Sequence, residues 1–251
     1  MLKHAITIAA VAGLVFALAP AAMADILLYQ ENFVGNSGDT LGSVAWEGDG
    51  RTRIRTVAVE GGVETPDGDN CFIGEKSDST GTLSAATTEY TVSTMDRAET
   101  KFIVDWAANN NNGLRFIAEV GDTWYASDPF GTDIEDKTLI TGNKSNTVAE
   151  WVTDQSVDVE TADWYQWVGG DNQVEFPPPG HPALSGDLWS STAESLPSGD
   201  ITSSGVFWNN SSWSDSFTSD NFRITKVPEP ATLALLGLGA VGTLVARRKR
   251  R

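Results

Sequence analysis

The chain has 251 residues and is acidic, with 34 Asp and Glu against 17 Lys and Arg. All 34 acidic residues lie within 25–229, whereas six of the cations lie outside that range, which leaves 11 cations there and a formal net charge of −23. This negative net charge excludes a nucleic-acid-binding role, because phosphate contacts need clustered cations. The region between the two ends has about 200 residues, which suffice for one domain with a sizeable core.

The N-terminal segment has the three parts of a secretory signal peptide. Lys3 and His4 make a basic start, Ala5–Ala19 is apolar, and Ala22-Met23-Ala24 supplies the small residues that signal peptidase requires. We predict that residues 1–24 are removed and that Asp25 begins the mature chain. A retained membrane helix is the weaker alternative, since fifteen apolar residues are too few to cross a bilayer.

The region that follows is predicted to form short strands separated by turn residues. The first predicted strands are Ile26–Phe33, Arg51–Val59 and Cys71–Gly74. Arg51–Val59 alternates apolar with polar side chains, as a half-buried strand does. Cys71 is the one cysteine of the chain, which excludes an internal disulfide. We expect a buried, unreactive thiol, with an intermolecular disulfide as the alternative.

Asn109–Gly113 predicts a hairpin. Asn tolerates left-handed backbone angles and Gly adopts them freely, and the flanking runs Lys101–Ala107 and Leu114–Val120 are strand-like. Thr123–Ser127 follows across Gly121-Asp122. We therefore predict a meander of three strands in this part of the chain.

Four further strands complete the pattern: Val148–Val152, Asp163–Val168, Gly205–Trp208 and Asp220–Lys226. Between the two ends, no stretch shows a sustained helical period with caps. Many short strands at even spacing predict an all-β fold, an antiparallel β-sandwich over 25–226. Pro177-Pro178-Pro179-Gly180 interrupts the pattern and predicts a loop that runs to about Pro197.

Two of these segments resemble parts of the concanavalin A-like and laminin-G-like jelly rolls. Asp163-Trp164-Tyr165-Gln166-Trp167-Val168 is similar to a central-strand motif of those families, and Ser219-Asp220-Asn221-Phe222-Arg223-Ile224-Thr225 is similar to their last strand. The resemblance implies a jelly-roll-like sandwich whose last strand pairs with its first. The proline loop departs from the compact hairpin that these families have between the two motifs.

The region offers little for catalysis. His181 is its one histidine, and a lone His lacks the partners that nucleophilic catalysis or a zinc site requires. Glycoside hydrolysis needs two facing carboxylates, but the Glu-x-Asp-x-x-Glu spacing of jelly-roll glycosidases is absent. The scattered carboxylates, most of them expected on solvated outer faces, are Glu31, Asp105, Glu119, Glu135 and Glu150. We predict no catalytic residues, with a secreted glycoside hydrolase or lyase of jelly-roll type as the alternative.

Asp67, Asp69 and Asn70 form a candidate calcium site. Hard cations prefer several oxygen ligands, and this tight turn offers three. Asp49 and Asp220-Asn221 are candidates for further ligands. The alternative is that these residue types simply form a turn, since the full EF-hand spacing is missing. No other cofactor is expected.

Nine tryptophans make a sugar-stacking platform a plausible feature of this chain. Alternation places Trp164 and Tyr165 on opposite faces of their strand, so at least one packs in the core. The tryptophans expected in the core are Trp106, Trp164 and Trp208. The ligand-binding candidates are Trp213, Trp124 and Tyr125, and Trp213 is the one that we expect to be exposed.

The last 25 residues have three parts in a fixed order. Val227-Pro228-Glu229-Pro230 comes first, Ala231–Ala246 carries no charge, and Arg247-Arg248-Lys249-Arg250-Arg251 closes the chain. As a helix, the apolar run is about 24 Å long. It is shorter than the roughly 30 Å hydrocarbon core, so snorkelling cations and local thinning must supply the difference. The cations face the cytoplasm under the positive-inside rule, which leaves the region before Val227 outside.

This tail resembles the PEP-CTERM sorting signal, which is also known as an ice-binding protein C-terminal domain. The resemblance implies a bacterial surface protein that an exosortase cleaves near Pro228–Pro230. A permanent tail anchor is the alternative. Ice binding itself is not expected, because it needs flat Thr-x-Thr arrays and Thr87-Thr88 with Thr91 do not make one.

Together these features predict an exported protein that is tethered to the inner membrane as a precursor. Its expected partners are signal peptidase, an exosortase, the membrane during processing, and polysaccharide. Its expected destination is the cell surface or an extracellular polysaccharide matrix, where we expect a binding or structural role. The alternatives are the hydrolase or lyase named above and a structural surface protein with no glycan ligand.

Overall fold

A computed structural model describes residues 25–35, 40–41, 46–48, 52–56, 65–68, 71–75, 82–108, 114–130, 151–170, 176, 187–210 and 217–228. One compact unit spans Leu27–Thr225, and a second unit joins the two chain ends. The predicted signal peptide and the apolar run 231–246 lie outside the described residues. Among the residues that are described, no helix is long and apolar enough to cross a membrane.

The described residues form β-strands with a short 3-10 helix at Arg97–Glu99. The strands are β1 Ile26–Glu31, β2 Trp46–Gly48, β3 Thr52–Thr56, β4 Cys71–Glu75, β5 Thr82–Thr88, β6 Thr100–Ala108, β7 Arg115–Val120, β8 Thr123–Ser127, β9 Val152–Asp158, β10 Trp164–Gln166, β11 Ile201–Asn210 and β12 Phe217–Lys226. They make two antiparallel sheets, so the predicted all-β class is confirmed.

The first sheet, sheet A, has the strand order β3-β4-β12-β6-β9, and β1 also pairs with β12. The pairing of the first strand with the last is confirmed. β12 is therefore an inner strand that has neighbours along both edges. The second sheet, sheet B, has the order β10-β8-β7-β11-β5-β2.

The main core lies between the two sheets. Sheet A contributes Phe102 and Phe222, and sheet B contributes Trp46 and Trp164, all of them fully buried. Rings from the two sheets meet edge to face, with centroids 6.4 Å apart for Phe102 and Trp164 and 5.1 Å apart for Trp46 and Phe222. Such contacts add about 0.5–1.5 kcal/mol per pair beyond the burial of apolar area.

The predicted hairpin over Asn109–Gly113 is wrong. β6 pairs with β12 and β9 in sheet A, whereas β7 pairs with β8 and β11 in sheet B, so the chain passes from one sheet to the other here. The tight hairpin is the next connection, between β7 and β8. Gly121 and Asp122 there have φ angles of 58° and 61°, and two positive φ angles in succession give the turn whose twist suits a two-residue hairpin loop.

Two further predictions need correction. β9 begins at Val152, the residue at which the predicted strand Val148–Val152 ends. The prediction missed β9 because this strand lies at the edge of sheet A, and its many polar side chains give no apolar pattern in the sequence. β10 is not central, because it lies last in the order of sheet B. Its outer edge is covered by the chain near Ser190 and Glu194: Trp164 N–H donates to Glu194 O at 2.9 Å, and Ser190 N–H donates to Gln166 O at 2.7 Å.

Gly205 lies in β11 where two strands approach closely. A Cβ atom built there would lie 2.0 Å from Ala86 O on the paired strand β5. We expect Gly205→Ala to lower the free energy of unfolding by about 3 kcal/mol or more, because the backbone pairing itself must shift. Gly121→Ala is the control, since its added Cβ would meet no atom within 4 Å and costs about 1–2 kcal/mol for the left-handed backbone. Urea titration measures both values, and a smaller loss at Gly205 than at Gly121 would contradict this packing.

Candidate binding face and sorting signal

A second apolar cluster lies on the side of sheet B that faces away from the main core. We call it the aromatic face, and its members are Ala85, Ile117, Trp124, Ala126, Tyr165, Trp167, Phe176, Leu188, Trp189 and Phe207. Outer faces of antiparallel sheets are ordinarily polar and solvated. Sheet B is therefore apolar on both faces, and the second face is the natural candidate for a binding surface.

The strand register explains the shape of this face. Tyr165, Ala126, Ile117 and Gly205 lie side by side across β10, β8, β7 and β11. Because Ala126 and Gly205 have little or no side chain, little side-chain volume projects from the sheet along this row. Larger rings rise on neighbouring rows, such as Phe207, which pairs with Arg115 in the row beyond Ile117.

Aromatic side chains that follow β10 in the chain pack against the larger rings of the aromatic face. Phe176 lies 4.8 Å from Trp124 and 4.9 Å from Trp167, measured between ring centroids, and Trp189 lies 4.9 Å from Trp167 and 5.2 Å from Phe207. Nε1 of Trp189 is buried and has no hydrogen-bond partner among the described residues. Leaving an N–H group in that condition costs about 1–3 kcal/mol.

A polar rim borders the aromatic face at Tyr165. The Tyr165 hydroxyl donates to Asp128 Oδ1 at 2.9 Å, and this hydrogen bond raises the pKa of Tyr165. The guanidinium of Arg115 lies 5.4 Å from the centre of the Tyr165 ring and donates to Ser127 O at 2.6 Å. Burial lowers the pKa of Arg115, and the carboxylate of Asp128 opposes that shift.

The structure separates the predicted sugar-binding residues. Trp124 is 9% exposed on the aromatic face, whereas Tyr125 is 6% exposed in the main core. These two predicted ligand-binding residues therefore face opposite sides of β8, and each is largely covered. Trp213 lies outside the described residues. The core placement of Trp106, Trp164 and Trp208 is confirmed.

The candidate calcium ligands are only partly described. Asp67 is exposed, and its Oδ1 accepts a hydrogen bond from Thr65 Oγ1 at 2.8 Å. Asn221 uses its amide within the protein: Nδ2 donates to Asp105 Oδ2 at 2.8 Å, and Oδ1 accepts from Gln30 at 2.9 Å. Three of the named ligands, Asp49, Asp69 and Asn70, lie outside the described residues. Within the described ranges, no cluster of three or more metal-ligating side chains occurs.

Asp105 departs from the expected solvated position, because it is only 1% exposed on β6. Its carboxylate accepts hydrogen bonds from Asp154 N–H at 2.7 Å and from Asn221, and it lies 3.4 Å from a guanidinium nitrogen of Arg223. Burial raises the pKa of Asp105, and the two hydrogen bonds oppose the shift. The network ties β9, β6 and β12 together. His181, Glu135 and Glu150 lie outside the described residues.

The loop residues of the aromatic face were missed by the sequence analysis. Phe176, Leu188 and Trp189 stand next to or within the segment that the prolines marked as a loop. Large apolar residues in a loop indicate that the loop packs against an apolar surface, because such side chains are seldom left together in solvent. The place of Arg115 in the polar rim was also missed, because a cationic residue within a strand is ordinarily taken to lie on the solvated face of the sheet.

Comparison with known proteins identifies the C-terminal segment. Residues 226–251 match the PEP-CTERM protein-sorting motif. The chain therefore carries a PEP-CTERM sorting signal, which implies export and processing by an exosortase at the membrane. No curated protein matches the chain. A solved structure described as a glycosyl hydrolase family protein from Mycobacterium fortuitum is similar at 12% identity with a TM-score of 0.34, covering 79% of this chain and 99% of that one. That likeness is too weak to bear on activity.

The opposite pKa shifts of Asp105 and Asp200 make a paired prediction. Burial raises the pKa of Asp105, whereas hydrogen bonds from Thr94 lower the pKa of Asp200. The folded chain therefore keeps the Asp105 proton to a higher pH than the unfolded chain, so the stability contributed by Asp105 increases as the pH falls toward 3.8. The stability contributed by Asp200 is instead lost as the pH falls below 3.8.

Urea unfolding from pH 7 to pH 3 measures both effects. The stability of the wild type relative to Asp105→Asn should rise toward low pH. Relative to Asp200→Asn it should fall. Slopes of the same sign for the two variants would contradict the two environments.

Proposed function

We propose that the mature domain is a binding or structural protein of the cell surface or extracellular matrix, and that its ligand is polysaccharide. The sorting signal provides the route, because it commits the chain to export and exosortase processing. The observation that carries the ligand proposal is the aromatic face, an outer sheet face covered by five clustered aromatic rings: Trp124, Trp167, Phe176, Trp189 and Phe207.

The chemistry of the aromatic face suits a sugar. Ligand sites are lined mainly by aromatic and apolar side chains, with a few polar groups that fix orientation. Tyr165 and Trp167 are partly exposed and offer ring surface for the apolar face of a pyranose. The N–H of Trp189, which has no partner within the described part of the chain, can donate to a sugar hydroxyl, and the Tyr165–Asp128 pair supplies further polar groups.

The charge of the domain narrows the class of polysaccharide. A formal charge of −23 over residues 25–229 repels a polyanionic chain at moderate ionic strength. A neutral polysaccharide is therefore the favoured ligand. We favour binding over turnover, because two carboxylates on the strands or rim of the aromatic face already have partners: Asp128 accepts from Tyr165, and Glu119 accepts from Thr202 at 2.9 Å.

A glycan screen on the full-length chain tests this proposal. We expect binding to a neutral polysaccharide, and we expect Tyr165→Ala and Trp167→Ala each to weaken it at least tenfold by removing stacking surface. Trp151→Ala is the control, because Trp151 is also partly exposed but lies outside the aromatic face. Its affinity should stay within about twofold of the wild type.

Three outcomes would overturn the proposal. Absence of binding to every polysaccharide would leave the structural alternative. Loss of affinity in Trp151→Ala equal to that in Trp167→Ala would move the site away from the aromatic face. Steady release of reducing ends from the bound polysaccharide would identify a hydrolase instead.

A further inference from the structure

We infer, on the basis of the proposed function, that the ring of Phe176 stands in a sugar subsite at the centre of the aromatic face and competes with the polysaccharide for that place. The other rings of the face form the walls of this subsite. A pyranose unit takes the place when the Phe176 ring leaves it, so Phe176 sets the affinity of the site.

Phe176 is the one ring that neighbours each of the other four in this cluster. Its ring centroid lies 4.8 Å from that of Trp124, 4.9 Å from Trp167, 5.8 Å from Trp189 and 5.9 Å from Phe207. All four separations are within the range of direct ring contact. A ligand that touches all four of these rings at once must therefore stand where Phe176 stands.

The remaining rings hold one another in place without Phe176. Trp189 lies 4.9 Å from Trp167 and 5.2 Å from Phe207 between ring centroids, and Trp167 N–H donates to Trp124 O at 2.9 Å. Phe176 itself is joined to the described residues by ring packing, with no hydrogen bond to any of them. The walls of the subsite can thus keep their arrangement while the Phe176 ring moves.

A pyranose ring satisfies this place better than a phenyl ring does. Both are six-membered rings of similar size, and the apolar C–H face of a sugar stacks on aromatic side chains. Nε1 of Trp189 is buried and lacks a hydrogen-bond partner in the ranges that the structure describes. The Phe176 side chain offers this N–H group no oxygen, whereas a sugar hydroxyl does. Because an unpaired buried donor is costly, the exchange favours the sugar.

The exposure of these rings shows what Phe176 withholds from a ligand. Phe176 and Trp167 are partly exposed, whereas Trp124 and Trp189 are each 9% exposed. With Phe176 in place, a sugar meets only part of the aromatic surface. The apparent dissociation constant is the intrinsic one divided by the fraction of molecules whose site is open, so removal of the phenyl group strengthens binding.

Calorimetric titration of the full-length chain with three neutral hexasaccharides, cellohexaose, xylohexaose and mannohexaose, tests the inference. We expect Phe176→Ala to bind at least one of them about tenfold more tightly than the wild type does, as for a site that is open in about a tenth of the molecules. Adding Trp189→Phe to Phe176→Ala should remove most of that gain, because Phe lacks the N–H donor. Phe130→Ala is the matched control, since Phe130 is also partly exposed but packs against the main core. Its affinity should stay within about twofold of the wild type.

Hydroxyl-radical footprinting of the wild type gives a second measurement, independent of any substitution. A saturating concentration of the bound hexasaccharide should raise the oxidation of Phe176 several-fold and lower that of Trp167, because the sugar displaces the first ring and covers the second. If Phe176→Ala binds no more tightly than the wild type, or if the sugar protects Phe176, the inference is overturned and the binding function stands. Absence of binding by both chains to all three hexasaccharides would overturn the inference as well, and the wider polysaccharide screen then decides the binding function separately.

Discussion

The structure depends on β12, the last strand before the sorting signal. It has neighbours along both edges, and it carries Phe222 and Ile224 into the core between the sheets. An inner strand cannot be lost without exposing that core and freeing its backbone hydrogen bonds on two sides. The sandwich is therefore complete only when the chain through Lys226 is in place. The sorting motif begins at residue 226, so fold and processing signal meet with no linker between them.

That junction gives the two ends of the protein different roles. β1 lies along β12, so the beginning and the end of the domain meet in one sheet. The aromatic face belongs to the other sheet, and it is built from β5, β7, β8, β10 and β11 together with residues that follow β10. The strand that leads into the sorting motif and the strands of the aromatic face therefore belong to different sheets.

The positions of several strands could be predicted well, because the alternation of apolar and polar side chains along a strand is a local property of the sequence. The bounds of β1, β7 and β8 follow closely from apolar and turn residues, and the all-β class follows from their number. The pairing of β12 with β1 followed from the jelly-roll resemblance. Continuous apolar residues in β7 (Phe116, Ile117 and Ala118) reflect burial on both faces, which is a physical sign of the second cluster.

The errors concern contacts between distant parts of the chain. Asn109–Gly113 has the composition of a hairpin, but composition cannot show that β6 and β7 find better partners in different sheets. Trp124 was predicted as a ligand-binding residue, and nothing local to it shows that Phe176 packs against it. Asp105 was expected in solvent, whereas its partners come from strands more than forty residues away in sequence. Long-range pairing decides each of these cases.

The central claim is that the chain is processed at the boundary between β12 and the apolar run. Intact-mass spectrometry of the protein isolated from the cells that make it tests this claim most directly. We expect a polypeptide that starts at Asp25 and ends within Val227–Pro230, with all of β12 retained. A polypeptide that is complete through Arg251 would contradict it.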